Sequence, residues 1–292
     1  DITQQDCKGW TALHIVSEIE NKEIATLLLQ RNPELLDKHN NNGRTPLHIA
    51  AIHGKIEMVK LLLSHEANMS IQDKEAGGTP LMAAIWKNRI ETAILLAQKS
   101  NKDNINLSSL KGNMTALHIA ARLGHGNVIK ILLANPNINI SLTDKNGKTA
   151  FDKAIKNGKF EAISPFLYHM PEIKGSDFIR LITNKDNQYQ EKIIKILAER
   201  FAQNDQCFKD QDKLYTIEEF CTLKNLKDLC NQYLKFRREY EPFCQTATQE
   251  LLNNNDIEEQ NVVDLYYYPT IHGLPSYHSI NLRNSIGYRR AR

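Results

Sequence analysis

The sequence contains no apolar run close to the ~18 residues that a membrane-spanning helix requires. Its mean hydropathy is -0.47, so nothing in it reads as an anchor in a bilayer. Cysteine is scarce, with five among 292 residues, at positions 7, 207, 221, 230 and 244. The number is odd and no two stand at a Cys-x-x-Cys spacing, which argues against a disulfide framework and against a zinc or redox site of that type. A reducing compartment such as a cytosol is the simplest setting for such a chain. No Walker loop, Rossmann glycine run or kinase motif set occurs. Neither sign of charge dominates: 37 basic against 34 acidic side chains leave +3, too little to indicate a nucleic-acid binder by itself. The chain opens at Asp1 without a basic-then-apolar signal segment; a trimmed form is expected, and a removed leader stays open. Tryptophan is rarest of all, present only as Trp10 and Trp86.

What the sequence does have is repetition. Thr-Ala-Leu-His starts at Thr11, Thr-Pro-Leu-His at Thr45, Thr-Pro-Leu-Met at Thr79, Thr-Ala-Leu-His at Thr115 and Thr-Ala-Phe-Asp at Thr149, at steps of 34, 34, 36 and 34 residues. Two residues before each threonine stands one suited to positive φ: Gly9, Gly43, Gly77, Asn113 and Gly147. A second break falls nine residues after it, at Glu20, Gly54, Asn88, Gly124 and Gly158, and an apolar run follows. Each unit reads as turn, short helix, tight turn, longer helix. The threonine hydroxyl can cap the short helix, and Pro46 and Pro80 then occupy its first turn, where a missing N–H costs nothing. Leu13, Leu47, Leu81, Leu117 and Phe151 drive it into the core, and alanines such as Ala50, Ala51, Ala120 and Ala121 allow close approach. No unit can bury this surface alone, so the units must stack.

This pattern resembles the ankyrin repeat, whose signature is Asp-x-x-Gly-x-Thr-Pro-Leu-His-x-Ala-Ala-x-x-Gly. Asp6 to Thr11 and Asp144 to Thr149 match its turn, and the likeness covers residues 6–168 in five repeats. It implies an all-α solenoid over 1–168. It also implies that His14, His48 and His118 bond turn backbone and brace neighbouring repeats, with no catalytic or metal-binding role. Departures are local: Met82 replaces histidine in the third repeat, the fifth has Asp152 there and Pro165 in its second helix, and a longer link surrounds Lys99 to Lys111.

From about Met170 the signature fades but helical periodicity continues over 177–183, 188–201, 220–223 and 226–236, with Thr216 to Glu219 as a capping box. Residues 169–292 are therefore expected to be α-helical, either as degenerate solenoid units or as a cap on its end. They close in an irregular tail of aromatic and basic residues, Tyr266 to Tyr268 and Arg283 to Arg292. A Cys–His nucleophile drawn from Cys207, Cys221, Cys230 or Cys244 with His169, His272 or His278 has no surrounding hydrolase signature, and a calcium-loop reading of Asp205 to Asp212 fails on register.

In the ankyrin family, partners lie along the concave face. They contact turn positions beside the fixed residues and the two positions before the helix-turn glycine. Carried onto this sequence, the resemblance implies Trp10, Arg44, Ile52, His53, Trp86, Lys87, Met114, Arg122, Leu123, Lys148 and Lys156 as partner-binding residues. Trp and Arg anchors dominate interface energetics, at ~2 kcal/mol or more each on truncation. Trp10 covering the open N-terminal end, and Trp86 packing on the C-terminal region, are the competing readings. Over the whole face, Lys8, Arg44, Lys87, Lys111, Arg122, Lys145, Lys148 and Lys156 oppose only Glu18 and Glu75, an imbalance that steers an acidic partner. The expected function is a monomeric, non-catalytic scaffold that captures an acidic protein and needs no cofactor or metal. Ankyrin repeats followed by an Asn/Lys-rich helical region also resemble the effectors that intracellular bacteria deliver into host cells. That likeness implies a cytoplasmic protein secreted into the host. Some such effectors carry a cysteine-hydrolase-like domain, which is the alternative function.

Overall fold

Ten backbone positions set the path of the first half. Gly9, Gly43, Gly77, Asn113 and Gly147, and then Glu20, Gly54, Asn88, Gly124 and Gly158, all take left-handed conformations, with φ between 52° and 83°. These are the positions where the repeat pattern calls for a turn. At Gly77 the requirement is double, because an added Cβ would also stand 2.5 Å from the backbone nitrogen of Leu110.

Between the turns the short helices are α1 (Ala12–Ile19), α3 (Pro46–His53), α5 (Pro80–Trp86), α7 (Ala116–Leu123) and α9 (Ala150–Asn157). The longer ones are α2 (Lys22–Arg31), α4 (Ile56–Ser64), α6 (Ile90–Lys99), α8 (Gly126–Ala134) and α10 (Phe160–His169), which contains Pro165. A single 3-10 turn, Pro33–Leu35, follows α2. The computed structural model describes residues 2–170 and, beyond them, 173–174, 177, 180–181, 192–197, 208–210, 213–215, 231 and 235. The chain divides into two units, Asp1–Pro165 and Phe166–Arg292.

In the first unit each short helix packs on the next, α1 on α3, α3 on α5, α5 on α7 and α7 on α9, while α2, α4, α6 and α8 form a second layer. Leu13, Leu47, Leu81, Leu117 and Phe151 are buried between the layers, as are Ala50, Ala51, Ala120 and Ala121. The first repeat differs on its leading side. Ile15 and Ile24 are exposed there, whereas Ile49 and Ile119, and likewise Met58 and Val128, occupy the same repeat positions and are buried. The solenoid thus has no core of its own separate from its repeat junctions.

In the second unit residues 192–197 are helical, with Ile193, Ile194, Ile196 and Leu197 buried, in line with the periodicity over 188–201. The helical reading of 169–292 does not anticipate a small sheet. Its strands β1 (Ile173–Lys174), β2 (Phe208–Asp210) and β3 (Lys213–Tyr215) lie in that order, β1 parallel to β2 and β2 antiparallel to β3. The Cys–His candidates Cys207, Cys221, Cys230, Cys244, His272 and His278, the capping box and the terminal tail lie outside the described residues. Among the described residues no helix is long and apolar enough to cross a membrane.

Candidate functional site

The surface is built from one local device used repeatedly. In each hairpin a side-chain oxygen folds the turn. The Asp6 Oδ1 accepts from the backbone N–H groups of Lys8 and Trp10, Asn40 Oδ1 from Asn42 and Arg44, and Asp144 Oδ1 from Asn146 and Lys148, all at 2.8–3.0 Å. Asp73 does the same for Ala76 and Gly78, and Ser109 Oγ accepts from Met114. These two turns reach their threonine one residue later than the others. Burial would raise the Asp144 carboxyl, but the Lys153 ammonium and the Lys148 and Asn146 N–H groups outweigh it and hold the group below the ordinary carboxylate range.

Histidine then ties the turn of repeats one, two and four to the next. His48 Nδ1 accepts from the Thr45 backbone N–H at 3.2 Å and lies 2.9 Å from its hydroxyl, and His48 Nε2 stands 3.1 Å from the Gly78 carbonyl of the following repeat. Since a backbone N–H can only donate, Nδ1 is the bare nitrogen and Nε2–H donates onward, which fixes the neutral tautomer. His14 reaches the Arg44 carbonyl at 2.9 Å and His118 the Lys148 carbonyl at 3.0 Å in the same way. Burial pushes the His48 imidazole down to about 4, against the opposing pull of the Gly78 carbonyl and Asp73. It lowers His14 and His118 too. These histidines act as braces.

The braced turns and short helices present the residues that the sequence singles out. Arg122 lies over the Trp86 indole, its guanidinium carbon 5.0 Å from the ring centroid, a cation–π contact across two repeats. Trp86 keeps 39% of its surface exposed. Asn157 Nδ2 donates to the Arg122 carbonyl at 2.9 Å, and Leu123 is half-buried beside it. Lys87 follows Trp86 at the end of α5 and is exposed, as are Lys148 and Lys156 in the fifth repeat. Met114 is half-buried in the fourth hairpin. Ile52 is half-buried on α3, and its carbonyl accepts from Arg89 Nε at 3.0 Å.

Three of the predicted residues are engaged within the repeats. Arg44 Nη2 bonds Glu75 at 2.6 Å and its Nε lies 3.5 Å from Asp73. His53 Nε2 faces Glu18 at 3.4 Å. Trp10 is half-buried and tilts against the His14 ring, centroids 5.8 Å apart. The sequence reading missed the partners of Arg44 and His53 because those contacts join residues about one repeat apart. It also missed Leu110, 75% exposed at the tip of the fourth hairpin, and the exposed Ile15, Ile24 and Leu27 of the first repeat.

A family model described as ankyrin repeats, in three copies, matches residues 1–73, 32–108 and 101–177. The chain belongs to the ankyrin-repeat family. Its ankyrin domain is accordingly a protein–protein interaction module, and ankyrin repeats are in general non-catalytic. The structural counterpart is direct. The ankyrin turns and α1, α3, α5, α7 and α9 carry the exposed variable residues, while the fixed Thr, His, Leu and Gly positions are spent on holding the stack.

Proposed function

We propose that the ankyrin domain captures an acidic segment of a partner protein, and that it does so mainly through repeats three to five. One observation carries the reading. After internal pairing removes Arg44, the positive side chains Lys87, Lys111, Arg122, Lys145, Lys148 and Lys156 stay exposed, and none has an ion pair among the described residues. Such a field raises encounter rates with an acidic partner and suppresses basic ones. Trp86 beside Arg122 supplies the large, partly exposed ring that commonly anchors an interface.

Charge reversal at Arg122 and Lys156 together should weaken capture of a polyglutamate bait by about tenfold or more; unchanged capture would sink the reading. We extend it to a setting: the partner is a host protein, met in the host cytoplasm after secretion by a bacterium. This rests on the likeness in composition and architecture to ankyrin-repeat effectors. Affinity purification with the original and the doubly reversed chain, from eukaryotic and bacterial lysates in parallel, tests the setting. Charge-dependent enrichment from the bacterial lysate alone overturns it.

A further inference from the structure

The residue seven positions after each capping threonine forms a row along the first helices: Glu18, Ile52, Trp86, Arg122 and Lys156. Its character changes along the stack from acidic, to apolar, to basic. The acidic end is closed on itself, because Glu18 faces His53 at 3.4 Å. The middle is apolar and open, with Ile52 half-buried and Trp86 exposed. The far end is basic and open at Arg122 and Lys156. Successive members are within reach of one another, as the Arg122–Trp86 stack demonstrates. Packed helices stand about 8–10 Å apart and an extended chain advances about 3.3 Å per residue, so one step of the row equals about three residues of an extended ligand.

We infer that the occupant is an extended segment of a partner protein with a defined register. One aromatic or large aliphatic side chain sits on Ile52 and Trp86. Two carboxylates follow along the row, the inner one on Arg122 and the outer one on Lys156, with successive contacts about three positions apart. This rests on the acidic-partner reading and adds an order and a spacing to it. The Arg122 guanidinium, held 5.0 Å from the indole centroid, can take a carboxylate by two parallel bonds, while Lys156 acts as a point charge. The inner acid is therefore the more stringent of the two. A nucleic acid fits less well, because the apolar middle and the closed Glu18 end offer its phosphates nothing.

The test is selection of a phage-displayed random peptide library on the full chain and on its Arg122→Glu and Lys156→Glu variants. The expected consensus from the original chain is an aromatic or large aliphatic residue with acidic residues at the third and sixth positions from it. Arg122→Glu should lower enrichment of the inner acid by about tenfold while leaving the outer one, and Lys156→Glu should do the reverse with a smaller loss. Acidic peptides without a fixed spacing, or equal losses at both positions in both variants, overturn the register and leave the acidic-partner reading standing. Peptides with no acidic preference overturn both. So does tighter retention of a single-stranded oligonucleotide than of the best peptide, with a steep salt dependence. Circular dichroism of the variants separates loss of fold from loss of contact.

Discussion

At the scale of single residues, the histidines of the repeats are the most informative. Each is held neutral by an N–H aimed at Nδ1 and a carbonyl facing Nε2, so a proton is harder to place in the fold than in the unfolded chain. His48 takes it up at about 4 in the fold, against the ordinary imidazole value of 6.5. As pH falls through that window the unfolded chain binds the proton first, so stability drops. It is fully present above pH 6.5 and falls by about 3 kcal/mol from His48 alone as pH approaches 4, at roughly 1.4 kcal/mol per unit. His14 and His118 shift in the same direction and add to the slope. Below that window the depressed carboxyls of Asp73 and Asp144 take over, since the stability they contribute is lost as they protonate. Thermal unfolding between pH 7.5 and 4.5 checks this, and His48→Gln should flatten the curve. These histidines were legible because the repeat places them and the ankyrin likeness states their role. Arg44 was only half legible. Its position was plain, but its capture by Asp73 and Glu75 depends on a turn one residue longer in the next repeat.

At the scale of elements, the turns and short helices were readable because each rests on one residue type with one backbone demand: a left-handed residue, a capping threonine, a leucine inward. The strands β1 to β3 were not. Two or three residues are too few to show an alternating pattern, and their pairing joins Ile173 to Phe208 across a long stretch of chain. The third repeat departs most. Met82 fills the histidine position and is buried, so nothing there reaches the Met114 carbonyl in the way His48 reaches Gly78. Gln72 still links the two repeats, donating from Nε2 to the Gly77 and Ser108 carbonyls at 2.6 and 2.8 Å, as Gln5 does to the Gly9 and His39 carbonyls beside an intact histidine brace. Met82→His is expected to restore the brace and raise stability by about 1 kcal/mol, read from denaturant unfolding at pH 7.5. No gain would mean that the longer hairpin carries the Met114 carbonyl out of reach.

For the whole molecule, position along the stack matters as much as residue type. Ile15 and Ile49 are the same residue at the same place in successive repeats, yet one is 48% exposed and the other 2%. Truncation to alanine should cost about 2–4 kcal/mol at Ile49, where it opens a cavity, and under about 1 kcal/mol at Ile15. Equal losses in chemical unfolding would show that the leading face of the first repeat is covered in solution. Composition alone gave an almost neutral chain. Ion pairs take up Lys22, Arg44 and Lys60 in the first two repeats, while Lys87, Lys111, Arg122, Lys145, Lys148 and Lys156 stay open in the last three.

The absent histidine brace has a mechanical side. Hairpin tips are joined by backbone bonds of 3.1, 2.8, 3.4 and 3.1 Å along the stack, from Asn41 to Lys8, Lys74 to Asn42, Lys111 to Ala76 and Lys145 to Gly112. The longest falls between repeats three and four, the same junction that Met82 leaves unbraced. Each repeat of such an array contacts only its neighbours, and here Trp86 and Arg122 stand on opposite sides of that joint. A ligand gripping both would work as a splint, stiffening the solenoid along its length, and Met82→His would build part of that stiffness in without any ligand.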